Sequence, residues 1–391
     1  MPRANDREHF QDYREQTQIK HSILAAYLPA YYHILKGSND NLVYIDGFAG
    51  PGCYQQAASE KVFDGSPILA LQLIASRDDF SKKVSTIFIE SDPILFAQLA
   101  GRVENFHKEH PQIRKPIYRQ GTFSEVVTRI LNQRRGKLPP TFLFVDPCGV
   151  AGNSFETVRS VMENDKCEAF IFFNIDGVRR ILGLKELSPV LVDLLGSPDR
   201  ANALYAELNA ARDPSKREEI ILAAYCKALS EDMGVTYIIP FRVEHEGQRK
   251  ASHYLIHGTK HPLGFSIMKD VMWRRGRGED LPGALELRQK GRTNFIPMFD
   301  THGETKLQIL NALERGPVRA SVFYKQWTMR SSDMLCEAAY RQILLELEAE
   351  GKIEVLDKDG RLVLGVDARP TRNNKPTLAK DYYIRRNQRS G

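Results

Sequence analysis

The chain has 391 residues, 42% of them hydrophobic and 27% charged, with 27 Gly and 20 Pro. That balance belongs to a folded chain of about two or three domains, and it excludes disordered, collagen-like and low-complexity classes. The net charge is +6, with residues 1–270 balancing to zero, 271–300 carrying +2, 301–365 carrying −1 and 366–391 carrying +5. A basic end of this kind suits a polyanionic partner or a solvated tail.

No apolar run approaches the roughly 20 residues that span a bilayer. The opening MPRANDREHF lacks an apolar signal core, which places the expected home in the cytoplasm. Cys53, Cys148, Cys167, Cys226 and Cys336 are scattered, with no CxxC pair. Neither a disulfide framework nor a structural zinc site is expected.

Taken in order, residues 17–36 carry Ile23, Leu24, Tyr27, Leu28, Tyr31 and Ile34 at helical spacing. Seven short apolar runs follow: Leu42–Ile45, Thr86–Ile89, Ile117–Tyr118, Thr141–Val145, Ala169–Asn174, Val235–Phe241 and His253–Ile256. They are continuous rather than alternating, as in strands covered on both faces. Helical patterns separate them at 66–76, 92–106, 123–134, 154–163, 187–195, 201–209, 215–231 and 263–272. The pattern predicts a doubly wound α/β sheet of seven strands, Rossmann-like, over residues 1–275. Residues 276–300 read as an Arg- and Gly-rich connector. Three helices, at 306–313, 319–327 and 334–347, then a hairpin of 353–356 with 361–364, give a winged-helix pattern over 301–365. A basic tail covers 366–391.

Ligands of such sheets bind beyond the carboxyl ends of strands. The first strand runs into Asp46-Gly47-Phe48-Ala49-Gly50-Pro51-Gly52, where glycines allow positive φ and close backbone approach. This is not the pyrophosphate fingerprint, because the next helix start, Ser66-Pro67, is separated from it by a loop at 53–65. A structural turn and a ligand loop both fit. The second strand ends Glu90-Ser91-Asp92; Glu90 suits a ribose diol and Asp92 a helix cap. Gln120-Gly121-Thr122 follows the third strand. The fourth ends Asp146-Pro147-Cys148-Gly149. There an acidic side chain can accept hydrogen bonds from an exocyclic amine, but Gly149 offers no ring to stack on a base. Cys148 fits either a nucleophile or a small turn residue. Arg179-Arg180 and the basic run 114–137 suit phosphate contacts or ordinary surface.

Together, Lys20-His21, the run 46–52, Gly65-Ser66-Pro67, Glu90-Ser91-Asp92, Asp146-Pro147-Cys148-Gly149, Phe173-Asn174 and the segment 261–272 resemble the three-Cys-motif partner protein (TcmP) family. The likeness spans roughly 17–275, and the family's fold is similar to class I methyltransferases. Lys20-His21 and the Gly-rich run also resemble the RlmJ family of ribosomal RNA adenine-N6 methyltransferases, which has D-P-P-Y where this chain has D-P-C-G. The resemblance implies S-adenosylmethionine held by Lys20, Asp46, Phe48, Gly50, Gly52, Glu90, Gly121 and Thr122. It implies acceptor chemistry at Asp146, Pro147 and Cys148, RNA or DNA as substrate, and a three-Cys-motif protein encoded nearby as partner. A catalytically degenerate nucleic-acid-binding adaptor is the alternative expectation.

Overall fold

Apolar runs with no polar alternation can only be buried on both faces, and that is where the chain puts them. The computed structural model describes residues 15–55, 61–152, 154–183, 188–213, 216–244, 251–277, 301–330, 335–363, 369, 371–372, 375–376 and 378–387. The chain divides into two units, Met1–Thr293 and Asn294–Gly391.

The first unit runs α1 (Glu15–Leu35), β1 (Leu42–Asp46), β2 (Cys53–Gln55), β3 (Val62–Asp64), α2 (Ser66–Ala75), α3 (Asp78–Ser81), β4 (Val84–Glu90), α4 (Pro93–Glu109) and β5 (Ile117–Gln120). It continues α5 (Phe123–Gln133), β6 (Thr141–Val145), α6 (Phe155–Met162), β7 (Glu168–Phe173), α7 (Ile175–Leu182), α8 (Pro189–Leu195), α9 (Pro198–Ala210) and α10 (Arg217–Met233). It closes with β8 (Tyr237–Glu244), β9 (Ala251–Thr259) and α11 (Pro262–Arg277). Seven strands form one sheet in the order β5-β4-β1-β6-β7-β9-β8. All pairs are parallel except those of β9, which runs antiparallel to both β7 and β8. The strand order gives the doubly wound, Rossmann-like sheet expected, with one strand reversed. The winding changes direction between β1 and β6, which makes their carboxyl ends the switch point.

One face of the sheet lies under α1, where Tyr27 and Tyr31 pack their rings 5.7 and 5.5 Å from Phe142. The other face holds the larger apolar cluster, including Phe123, Val126, Phe155, Val158, Leu194, Leu222 and Leu229. At the amino edge, Glu168 accepts hydrogen bonds from Tyr27 Oη (2.6 Å) and Thr259 Oγ1 (2.8 Å). Arg114, from the basic run 114–137, also works at that edge. It donates to Asn41 Oδ1 (2.6 Å), Lys82 O (2.7 Å) and Asp40 O (3.0 Å), so it clamps the loops before β1 and β4. Among the described residues, no helix is long and apolar enough to cross a membrane.

The second unit contains α12 (Thr301–Leu313), β10 (Val318–Arg319), α13 (Ala320–Thr328), α14 (Glu337–Ala349), β11 (Ile353–Leu356), β12 (Thr371–Arg372), β13 (Lys375–Pro376) and β14 (Tyr383–Arg386). Its helices meet through rings: Phe323 stacks on Trp327 at 4.9 Å, and Trp327 meets Tyr340 at 5.7 Å. The three-stranded sheet has the order β10-β14-β11. The expected hairpin turns at Gly360 (φ +76°). Among the described residues its return side makes one bridge, Leu356 to Leu362, with Val363 N–H donating to Val355 O at 2.9 Å, and β11 takes β14 as its main partner. Part of the segment read as a basic tail is therefore the middle strand of a sheet. The connector read at 276–300 begins inside α11, and from 278 onward it lies outside the described residues.

Candidate active site

Three acidic residues end three adjacent strands: Asp46 on β1, Glu90 on β4, and Asp146 directly after β6. In register, Asp46 pairs with Phe88 of β4 and with Phe144 of β6. Glu90 and Asp146 lie two residues beyond those partners, so all three acids stand at the carboxyl edge of the sheet, around the switch point. The fold placed them there because each strand stops where its apolar run stops.

Asp46 is fully buried. It accepts the Phe48 N–H at 3.2 Å and a hydrogen bond from the Ser66 side chain. Burial outweighs both and raises its pKa from 3.8 to about 7. Glu90 accepts Gly50 N–H at 2.9 Å and Asp92 N–H at 2.7 Å, one on each oxygen. Burial also raises its pKa. A third backbone hydrogen bond, from Ser91, also reaches this carboxylate. The Gly loop is thereby tied to the neighbouring strand. Gly52 has φ +75°, and Gly65 N–H bonds Gly52 O at 2.9 Å. The loop read at 53–65 carries the short hairpin of β2 and β3, registered Cys53 to Asp64.

Lys20 on α1 reaches Asp146 in a buried ion pair, across 126 residues of sequence. The bond is made to Asp146 Oδ2. Lys20 also sits 4.9 Å from the centroid of the Phe172 ring, and that ring stacks on His253 at 4.3 Å and 13°. His21 is buried, and burial with the adjacent Lys20 holds its pKa well below the usual imidazole value. One cation therefore faces two carboxylates, Asp46 and Asp146. When Asp46 is ionised, that imbalance favours a cation nearby.

Of the other predicted site residues, Asp92 caps α4 by accepting from Ile94 and Leu95 N–H. Gly121 adopts φ +147° and bonds Glu90 O at 3.1 Å. The Thr122 hydroxyl is used by a capping box with Glu125. Phe48 turns its ring to Phe123 at 5.5 Å. Pro147 is buried, while Cys148 is exposed. A Cβ at Gly149 would meet nothing within 4 Å. Arg179 does not wait for phosphate, because Asp176 (2.8 Å) and Glu218 bind its guanidinium. The Lys20–Asp146 pair, the Ser66–Asp46 bond and the Phe172–His253 stack had no signal in the sequence, since each joins distant segments.

No family model and no curated protein matches this chain. Among solved structures, it is similar to a Legionella pneumophila protein of family DUF519 at 11% identity, covering 68% of this chain and 92% of that one, TM-score 0.41. It is similar to the methyltransferase domain of bacterial CtHen1-C at 11% identity, covering 61% and 98%, TM-score 0.32. It is also similar to a putative rRNA methylase from Clostridium thermocellum at 9% identity, covering 60% and 97%, TM-score 0.29. The fold assignment rests on the strand order and register of this chain itself.

Proposed function

We propose that the first unit is an S-adenosylmethionine-dependent methyltransferase acting on a base of RNA or DNA. The convergence of Asp46, Glu90 and Asp146 at the switch point carries this reading. When bound, the cofactor supplies an electrophilic methyl group on a sulfonium. Asp46 provides the unmatched negative charge for its cationic end, and the Gly50–Gly52 backbone lets it approach closely. Glu90, at the end of the neighbouring strand, is the acceptor for a ribose diol. Gly121 and Thr122 shape the rim through backbone and cap.

On the acceptor side, the Asp146 carboxylate, with Lys20 on its Oδ2, is the acceptor for an amine hydrogen. Lys20 balances the charge of Asp146 and fixes its orientation. This moves Lys20 from the cofactor set to the support of Asp146. Cys148 serves as a small turn residue, and Pro147 fixes the backbone beside Asp146. In-line transfer needs little more than positioning, which can supply about 7–11 kcal/mol of the barrier. In this reading the second unit is a winged helix that docks the polyanion, which its helices and β10-β14-β11 sheet support. A three-Cys-motif protein is the proposed partner.

The test pairs two variants. Asp46→Ala is expected to lose S-adenosylmethionine binding in calorimetry. Asp146→Ala should keep binding and lose methyl transfer to total RNA and genomic DNA by about 100-fold or more. Full affinity in the first removes Asp46 from the cofactor site; full transfer in the second removes Asp146 from the chemistry. The Gly149 gap favours the adaptor as second reading, and transfer to neither polymer, with or without partner, would decide for it.

A further inference from the structure

The turn after Asp146 leans on the helix that follows the next strand. A Cβ on Gly177 of α7 would collide with Val150 Cγ2, so only glycine lets the two segments pack this closely. Helix α7 is in turn tied to the start of α10. Arg179 bonds Glu218, and the same carboxylate accepts from Arg242 Nε of β8 at 3.0 Å and from Tyr254 Oη of β9. Tyr254 opposes Phe173, the last residue of β7. Glu218 therefore fixes the start of α10 at the carboxyl edge of the sheet, the edge that carries Asp146. Arg200, early in α9, pairs with Asp232 near the end of α10, so these helices run antiparallel. That places Arg212 and Lys216, between them in sequence, at the Glu218 end.

The charge at this edge is uneven. Arg180, Arg212, Lys216 and Arg217 are exposed and carry no ion pair among the described residues. Arg179 and Arg242, by contrast, are matched by Asp176 and Glu218. Over 176–180 and 211–219 the acids not already paired with an arginine are Asp213 and Glu219, so positive charge is in excess. Residues 1–270 balance to zero, so the excess is local.

We propose that Arg180, Arg212, Lys216 and Arg217 form a basic rim that holds the phosphate backbone of a single-stranded nucleic acid beside the acceptor turn. A base reaches an acid at a sheet edge only after leaving any stack, which selects an unpaired strand. Guanidinium forks meet phosphate oxygens two at a time and read no sequence. The rim therefore positions the strand, and Asp146 selects the amine. The Glu218 hub keeps the rim in fixed register with the turn. The proposal rests on the methyltransferase reading for the role of Asp146, while the backbone contact is tested without cofactor.

The experiment follows the anisotropy of fluorescein-labelled oligouridine bound to the full chain between about 50 and 200 mM salt. For the wild type, log affinity is expected to fall linearly with log salt. Arg180→Ala with Arg217→Ala should make that slope shallower by up to about 1.4, at about 0.7 per charge on a single strand. Arg180→Lys with Arg217→Lys keeps the charge and should keep the slope. Lys108 and Lys115 are exposed at the opposite, amino edge of the sheet. Lys108→Ala with Lys115→Ala removes as much charge and should leave the slope unchanged. A wild-type slope in the rim Ala pair overturns the proposal, as does an equal loss in the amino-edge pair, or a wild type that does not bind oligouridine. Should the rim Ala pair fail to fold, Arg180→Gln with Arg217→Gln is read in the same way. S-adenosylmethionine affinity, measured separately, should be the same in every variant. A wild type that fails to bind S-adenosylmethionine sinks the methyltransferase reading instead, and the salt slopes still decide the rim.

Discussion

Asp46 is where fold and function pull in opposite directions. Its carboxyl is buried and titrates near 7 in the folded chain, against 3.8 in an unfolded one. Between those values the folded state holds the extra proton, so stability from this group falls as pH rises from about 4 to 7 and then levels off. At about 1.36 kcal/mol per pH unit the loss is on the order of 4 kcal/mol. Asp46→Asn removes the titration while keeping the shape. We expect its urea-unfolding stability to exceed wild type at pH 8 and to match it near pH 4. A wild-type profile parallel to that of the variant would remove the buried carboxyl as the cause. The same proton governs the ligand. A cation that selects ionised Asp46 binds about tenfold tighter per pH unit up to about pH 7 and displaces a proton below it. Calorimetry in two buffers of different ionisation heat reads that proton directly. A carboxylate so costly to bury at the switch point is the group on which the proposed cofactor site depends.

At the scale of elements, the Gly loop and its hairpin act together. The backbone of Gly52 is pinned by Gly65, and a Cβ on Gly65 would lie 2.8 Å from the Gly52 carbonyl carbon. Backbone cannot yield as a flexible side chain can. Gly65→Ala is therefore expected to destabilise the chain by about 1–3 kcal/mol. It should also weaken S-adenosylmethionine binding, because Gly50 N–H would shift off Glu90. A variant that melts and binds like wild type would show the contact to be soft. The seven strands of this sheet were legible because each apolar run is continuous, and Asp46, Glu90 and Asp146 were legible because they end such runs. The hairpin of β2 and β3 was not, since three-residue strands have no period to read. Helix α7 was hidden by Asn174, Asp176 and Gly177, which look like a turn, while Asn174 in fact caps the helix by accepting Gly177 N–H at 2.8 Å. The strand β14 reads Tyr383-Ile384-Arg385-Arg386, with one buried residue, Ile384, among charges, so composition alone assigned it to a tail.

At the scale of the whole chain, the surplus charge has changed meaning. Several cations of the last segment are matched within the second unit: Arg369 to Glu348 at 2.7 Å, Arg385 to Glu354 at 2.7 Å, Lys380 to Glu337 at 3.5 Å, and Arg386 to Glu314. Two of them, Arg369 and Lys380, neutralise Glu348 and Glu337 of α14, while Arg385 meets Glu354 of β11 and Arg386 meets Glu314 just after α12. Deleting 366–391 would remove the middle strand of a three-stranded sheet. Its expected result is loss of the second unit's own unfolding transition, with S-adenosylmethionine binding by the first unit retained. A polyanion would instead meet cations that have no acidic partner. Lys358 and Arg361, at the turn after β11, are exposed and carry no ion pair among the described residues. If the second unit docks nucleic acid there, Lys358→Ala with Arg361→Ala weakens binding alike across sequences. The slope of log affinity against log salt then becomes shallower by up to about one for each charge removed. An unchanged slope would place the phosphate contacts elsewhere on the chain, and the basic end would then be a means of folding the second unit around its own acidic helix.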